Sequence, residues 1–199
     1  MAMTKEDIER ITGNTQIVLS FGARNGGFEL ARKIWSSVRE RAGDDPYRVF
    51  FADKGFVYLD AETLQNEPGT RNENGKVLND NWMEVYGAAM KKANAILFVV
   101  TKEWLDSEWC WQEWEWYCEL KNEPGKGITP KFLVEEKIPD AVFERPVKDN
   151  AGAKHDMTNL RTALINHPER LRYFSLQKTD EIASLVGPLL SDTMFGGKK

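Results

Sequence analysis

Residues 95–100 read Ala-Ile-Leu-Phe-Val-Val, six apolar side chains in a row with no polar interruption. A strand with one face in water would alternate apolar and polar residues, so an unbroken run points to a central strand of a parallel sheet, covered on both faces. Such a sheet needs helices before and after each strand. The rest of the chain is therefore read for alternating strands and helices.

The pattern is present. Residues 15–21 (TQIVLSF) form a short, β-branched apolar run, a buried strand. A polar, glycine-rich turn follows at residues 22–27, and then Phe28, Ala31, Ile34, Trp35 and Val38 recur at helical spacing up to about Gly43. Residues 48–59 hold two apolar clusters, of which the later, residues 56–59, is taken as the second strand. Residues 60–76 are polar and rich in Asn, Gly and Glu, as in a long exposed loop, the kind often tied to function. Leu78, Trp82, Val85, Tyr86, Met90 and Ala93 mark another amphipathic helix, and Ser107 is placed to cap a third that runs to about Lys121. A strand is expected around residues 132–134, irregular chain at 139–155 and a short helix at 159–165. A last strand at 171–176 and a closing helix at 179–190, disturbed by Gly187-Pro188, complete the pattern.

The expected fold is α/β: a flavodoxin-like, doubly wound, mainly parallel five-stranded sheet with a C-terminal elaboration. One domain spans residues 15–191, between an N-terminal extension (1–14) and a flexible tail (192–199). Ligands of such sheets sit at the carboxyl ends of the strands, where strand order reverses. That directs attention to the residues just after Phe21, Leu59 and Val100.

Charge and composition narrow the function. A net charge of -4 and a pI near 5.4 argue against a duplex-binding surface, so no nucleic-acid partner is expected. No signal peptide or membrane-length apolar run is visible, and a cytoplasmic protein with no membrane partner is expected. Cys110 and Cys118 lie eight residues apart on one expected helix, too far for a disulfide within it. With no further Cys/His cluster they make no metal site, so they are read as small buried residues.

The most unusual segment lies between Trp104 and Trp116, which holds five of the seven tryptophans. On a helix, Cys110, Trp114, Tyr117 and Cys118 share a face taken as the core face. Trp109, Glu113, Trp116 and Leu120 share another. Trp109 and Glu113 are an i,i+4 pair, so an aromatic wall meets a carboxylate. That pairing suits cleavage of an N-glycosidic bond, whose oxocarbenium-like transition state a carboxylate can stabilise. From spacing alone, however, a helical glutamate is more often simply solvated.

Three ordered stretches resemble the TIR-domain family. Residues 17–21 (IVLSF) are similar to its opening strand, which ends in Ser and an aromatic. Residues 57–64 (VYLDAETL) are similar to its second strand and the start of its long BB loop. Residues 96–113 resemble its apolar strand, short turn and Ser-x-Trp-Cys before a Glu, and Trp109-Cys110-Trp111-Gln112-Glu113 fits the Trp-x-x-x-Glu pattern of NAD-cleaving members.

The resemblance covers roughly residues 15–135. It implies an NAD⁺ glycohydrolase or ADP-ribosyl cyclase in which Glu113 is catalytic, with Trp109 lining the pocket. It also implies that Ser20, Phe21 and Asp60 contact the nucleotide. NAD⁺ enters as substrate, with no cofactor and no metal. Self-association through TIR surfaces, a role in Thoeris-type bacterial anti-phage defence and a downstream effector that binds the product are implied in the same way. The sequence departs from the family in its long BB loop, its glycine-rich first turn and everything after Lys137.

Arg24, on the first strand–helix turn, could pair with a pyrophosphate or merely be solvated. The glycines around it lack the G-x-G-x-x-G spacing of hydride-transfer enzymes. His155 and His167 are read as surface or satisfied histidines. Two rivals stand beside the NAD⁺-cleaving reading: a non-catalytic TIR interaction module working through the residue 60–76 loop, and a nucleoside deoxyribosyltransferase-like enzyme, which shares the sheet and a catalytic Glu.

Overall fold

The computed structural model describes residues 4–12, 15–22, 25–42 and 82–195. In chain order its elements are helix α1 (Lys5–Thr12), strand β1 (Ile17–Phe21), helices α2 (Gly27–Ala42) and α3 (Trp82–Lys92), and strand β2 (Ala95–Val100). Helices α4 (Lys102–Leu105) and α5 (Glu108–Leu120) follow, then strands β3 (Thr129–Glu135), β4 (Val147–Lys148) and β5 (Lys154–His155). Helix α6 (Thr158–Asn166), strand β6 (Leu171–Phe174) and helix α7 (Ile182–Phe195) complete the chain. The expected second strand at 56–59, the loop at 60–76, Arg24 and Asp60 lie outside the described residues.

Among the described residues the main sheet has four strands in the order β1-β2-β3-β6, all parallel. The order of these four strands is consistent with a flavodoxin-like sheet. Ile17 is level with Ala95, and Ala95 with Thr129. The apolar run that dictated a central strand is β2, residue for residue, and all six of its side chains are buried.

The sheet separates two cores by simple alternation. Val18, Ile96, Phe98, Val100, Phe132 and Val134 face a layer built by α3, α4, α5 and α6. Ile17, Leu19, Ala95, Leu97, Val99 and Leu133 face α2 and α7. The first core is aromatic: Phe98 stacks on Phe132 at 5.6 Å and meets Trp104, Trp114 and Tyr117 edge-on.

Three elements depart from the sequence reading. Residues 5–12 form a helix rather than featureless extension, started by a reciprocal cap in which the Asp7 amide donates to Thr4 Oγ1 and the Thr4 amide to Asp7 Oδ2. The closing helix begins later than expected, at Ile182, and runs through Pro188 to Phe195. Burial of Ile182, Val186, Leu189 and Leu190 outweighs the hydrogen bond that the proline forfeits. The stretch at 139–155 contains a short 3₁₀ turn and the β4–β5 hairpin. No helix among the described residues is long and apolar enough to cross a membrane.

Candidate functional site

The site is assembled where β1 and β2 end and α4 and α5 begin. Thr101 closes β2 and caps α4, its hydroxyl accepting from the Trp104 amide at 3.2 Å. Ser107 caps α5 as expected, accepting from the Cys110 amide. Two tight turns therefore carry the chain from the central strand into the tryptophan-rich helix, and they set which way its side chains face.

Glu113 is buried, with 8% of its surface exposed. The solvated glutamate suggested by spacing alone is not what forms. Its Oε2 accepts a hydrogen bond of 2.5 Å from the hydroxyl of Ser20, ninety-three residues earlier. Ser20 is wholly buried and in turn accepts a 2.8 Å bond from Trp104 Nε1. A bond donated to a carboxylate favours its ionised form. One turn further along the helix, burial pushes the Tyr117 phenol up to about 12.

The expected division of helix faces needs correction. Of Trp109, Glu113, Trp116 and Leu120, only Trp109 is exposed, at 46%. Leu120 lies in the core and Trp116 packs against it. The buried arc of α5 is wide because the helix is covered by the sheet on one side and by α3 on another, so one apolar stripe is not enough. Trp111, which fell on neither face, is among the largest fully buried side chains. Cys110 is buried, but Cys118 is only half-buried.

Ser20, expected to touch the nucleotide, is wholly buried and bonded to Glu113. Phe21 sits at the end of the same strand and packs on the opposite core. Trp109 stands one turn before Glu113, at the surface. The structure thus brings Ser20 and Glu113 into contact and keeps Phe21 on the other side of the sheet.

Two groups escaped the sequence reading. Trp104 is one of the clustered tryptophans, and its local signal is a cap residue, Thr101, three positions earlier. The other group is the β4–β5 hairpin. Asp149 accepts from the amides of Ala151 and Ala153, both at 2.9 Å, and bonds to His155 Nε2 at 2.7 Å. The His155 bond, then the Ala153 and Ala151 amides, hold the Asp149 carboxyl below the usual carboxylate range against the opposing effect of burial. Asn150 closes the junction: its amide donates to the Asp106 carbonyl, and its side-chain oxygen accepts from the Glu108 amide.

The glycine-rich first turn also has a structural reason. A Cβ on Gly22 would lie 2.6 Å from the Glu103 carbonyl carbon and 2.7 Å from the Trp104 nitrogen, and one on Gly27 only 1.6 Å from the Gly22 oxygen. The turn leaving β1 is pressed onto α4, and only glycine permits that approach.

No family model matches the chain. Among curated proteins it is similar to the 3′ cyclic ADP-D-ribose synthase HopAM1 of Pseudomonas syringae pv. tomato, with 33% identity over 134 residues. The match covers 64% of this chain, and the chain spans about half the length of that relative, 47%.

Proposed function

We propose that this chain is a TIR-type enzyme that cleaves NAD⁺, with Glu113 as its catalytic residue and a cyclic ADP-ribose as product. The observation that carries the reading is Glu113 itself. It is a buried carboxylate at the carboxyl end of a parallel sheet, tethered to β1 through Ser20 and one turn from the half-exposed indole of Trp109. Similarity to a cyclic ADP-ribose synthase supports chemistry of the same class.

The chemistry requires little of the protein. The bond between the nicotinamide nitrogen and C1′ of ribose breaks, and its electron pair returns to the pyridinium nitrogen. Nicotinamide leaves neutral, so no general acid is needed. The positive charge left on the ribosyl ring is stabilised by the Glu113 carboxylate in a setting where water is largely excluded. A nucleophile then adds at C1′, and a hydroxyl nucleophile releases its proton to solvent. Water gives linear ADP-ribose; an atom of the same molecule gives a cyclic isomer.

In this reading Trp109 lines the ribosyl–nicotinamide end of the pocket. Phe21 and Asp60 contact the nucleotide, and Arg24 pairs with the pyrophosphate. Self-association, a downstream effector that binds the product and a place in bacterial anti-phage immunity belong to the same proposal, carried by the resemblance of the 15–135 region to compact TIR proteins.

The test is mass spectrometry of NAD⁺ incubated with the purified protein at high concentration and with protein from phage-challenged cells. Free nicotinamide and a cyclic ADP-ribose are expected from wild type, and neither from Glu113→Gln. Equal nicotinamide release by the two proteins would remove Glu113 from the chemistry. Base exchange between deoxynucleosides without NAD⁺ turnover would replace the reading with the deoxyribosyltransferase one.

A further inference from the structure

Building on the assignment of Glu113 as the NAD⁺-cleaving carboxylate, we infer that Trp104 is a positioning residue whose indole N–H sets the direction of the Ser20 hydroxyl and so holds the serine proton on Glu113.

The inference follows from counting donors. An indole nitrogen can only donate, whereas a serine hydroxyl has one proton and two lone pairs. Trp104 Nε1 lies 2.8 Å from Ser20 Oγ, so one serine lone pair is taken. The single serine proton then points to Glu113 Oε2 at 2.5 Å. With Glu113 ionised, and so an acceptor only, the donors run from Trp104 to Ser20 to Glu113. A serine beside a carboxylate could also be a nucleophile with its base. Here Ser20 is 0% exposed and its oxygen is bonded to both Trp104 and Glu113.

The indole is itself immobilised. Trp104 is 0% exposed, its amide is capped by Thr101, and Gly22 presses on its backbone. Its ring meets Phe98 edge-on at 6.1 Å and Trp111 at 5.1 Å. A donor fixed this way needs no reorganisation when charge develops at the site. Phenylalanine could occupy most of the same space but could not orient the serine.

A purely structural tryptophan would use Ser20 only to satisfy its own buried N–H. The two roles separate on pH dependence and on coupling. Trp104→Phe, and benzothienylalanine at position 104 (sulfur in place of N–H), should each lower kcat up to about tenfold, the upper range for one neutral hydrogen bond. KM for NAD⁺ should change less than about twofold, because the lost interaction acts on the transition state rather than on substrate binding. The acid limb of the kcat/KM profile should move to higher pH, because Glu113 loses support for its ionised form. Ser20→Ala should do the same, and adding Trp104→Phe to it should cost nothing further.

A readout independent of NAD⁺ is the ¹⁵N-indole spectrum of the wild-type protein. The Trp104 Nε1–H resonance should shift as pH titrates Glu113, and that shift should vanish in Ser20→Ala and Glu113→Gln. If this resonance titrates while wild type leaves NAD⁺ untouched, the donor chain stands and the proposed function falls. The inference is overturned if the resonance ignores the Ser20 and Glu113 substitutions. It is equally overturned if the position-104 variants fold and keep the wild-type kcat and pH profile.

Discussion

The rings of Trp111 and His155 lie face to face, with centroids 4.5 Å apart and planes 3° from parallel. Trp111 belongs to the helix that carries Glu113, and His155 to a two-stranded hairpin in a stretch with no readable pattern. The hairpin braces α5: His155 is held by Asp149, and Asn150 binds the first turn of that helix. His155→Ala should therefore lower stability by about 1 kcal/mol through the lost ring contact. Denaturant unfolding would measure this, and no change in midpoint would mean that the stack contributes nothing.

The same clip makes a prediction about pH. The folded Asp149 carboxyl titrates below its ordinary range, chiefly because of the His155 bond. A depressed carboxylate pKa contributes stability that is complete above the unfolded value, about 3.9 for Asp, and is lost as pH falls through the folded value. Asp149→Asn should therefore have a lower Tm than wild type at pH 7, and the gap should narrow below about pH 4 and close only under the lower folded value. Parallel melting curves at the two pH values check this; a gap that widened in acid would contradict it.

Gly22, just after β1, lies against α4, the helix that carries Trp104. Gly22→Ala forces a methyl group against the Glu103 carbonyl carbon at 2.6 Å, the Trp104 nitrogen at 2.7 Å and the Glu103 Cβ at 2.8 Å. A cost of about 1–3 kcal/mol is expected, as for overpacking elsewhere. Under the proposed function, turnover should fall with it, because α4 must move and Trp104 moves with α4. Thermal melts and nicotinamide release would be read on the same preparation.

Trp109 should behave differently from the buried tryptophans. At 46% exposure it carries little of the core. Trp109→Ala should shift stability by less than about 1 kcal/mol. If it walls the substrate pocket, KM for NAD⁺ should rise about tenfold, the equivalent of a lost aromatic contact. Trp111→Ala should instead lose about 3–5 kcal/mol, as a fully buried indole does. Equal destabilisation by the two would remove the distinction.

The covered sheet was legible in residues 95–100 because an unbroken apolar run has few other solutions, and helical spacing around it fixed the class of fold. The Ser107 cap and the Trp109–Glu113 pairing were legible because both are local, set by three or four residues of helix geometry. Tertiary structure alone decided that Glu113 is buried, that Ser20 faces it across ninety-three residues, and that Trp104 aims the serine. Those facts depend on strand register and on how closely a glycine turn approaches α4. The hairpin was invisible for a related reason: its hold on α5 comes from one ring stack and a few hydrogen bonds, which leave no period in the sequence.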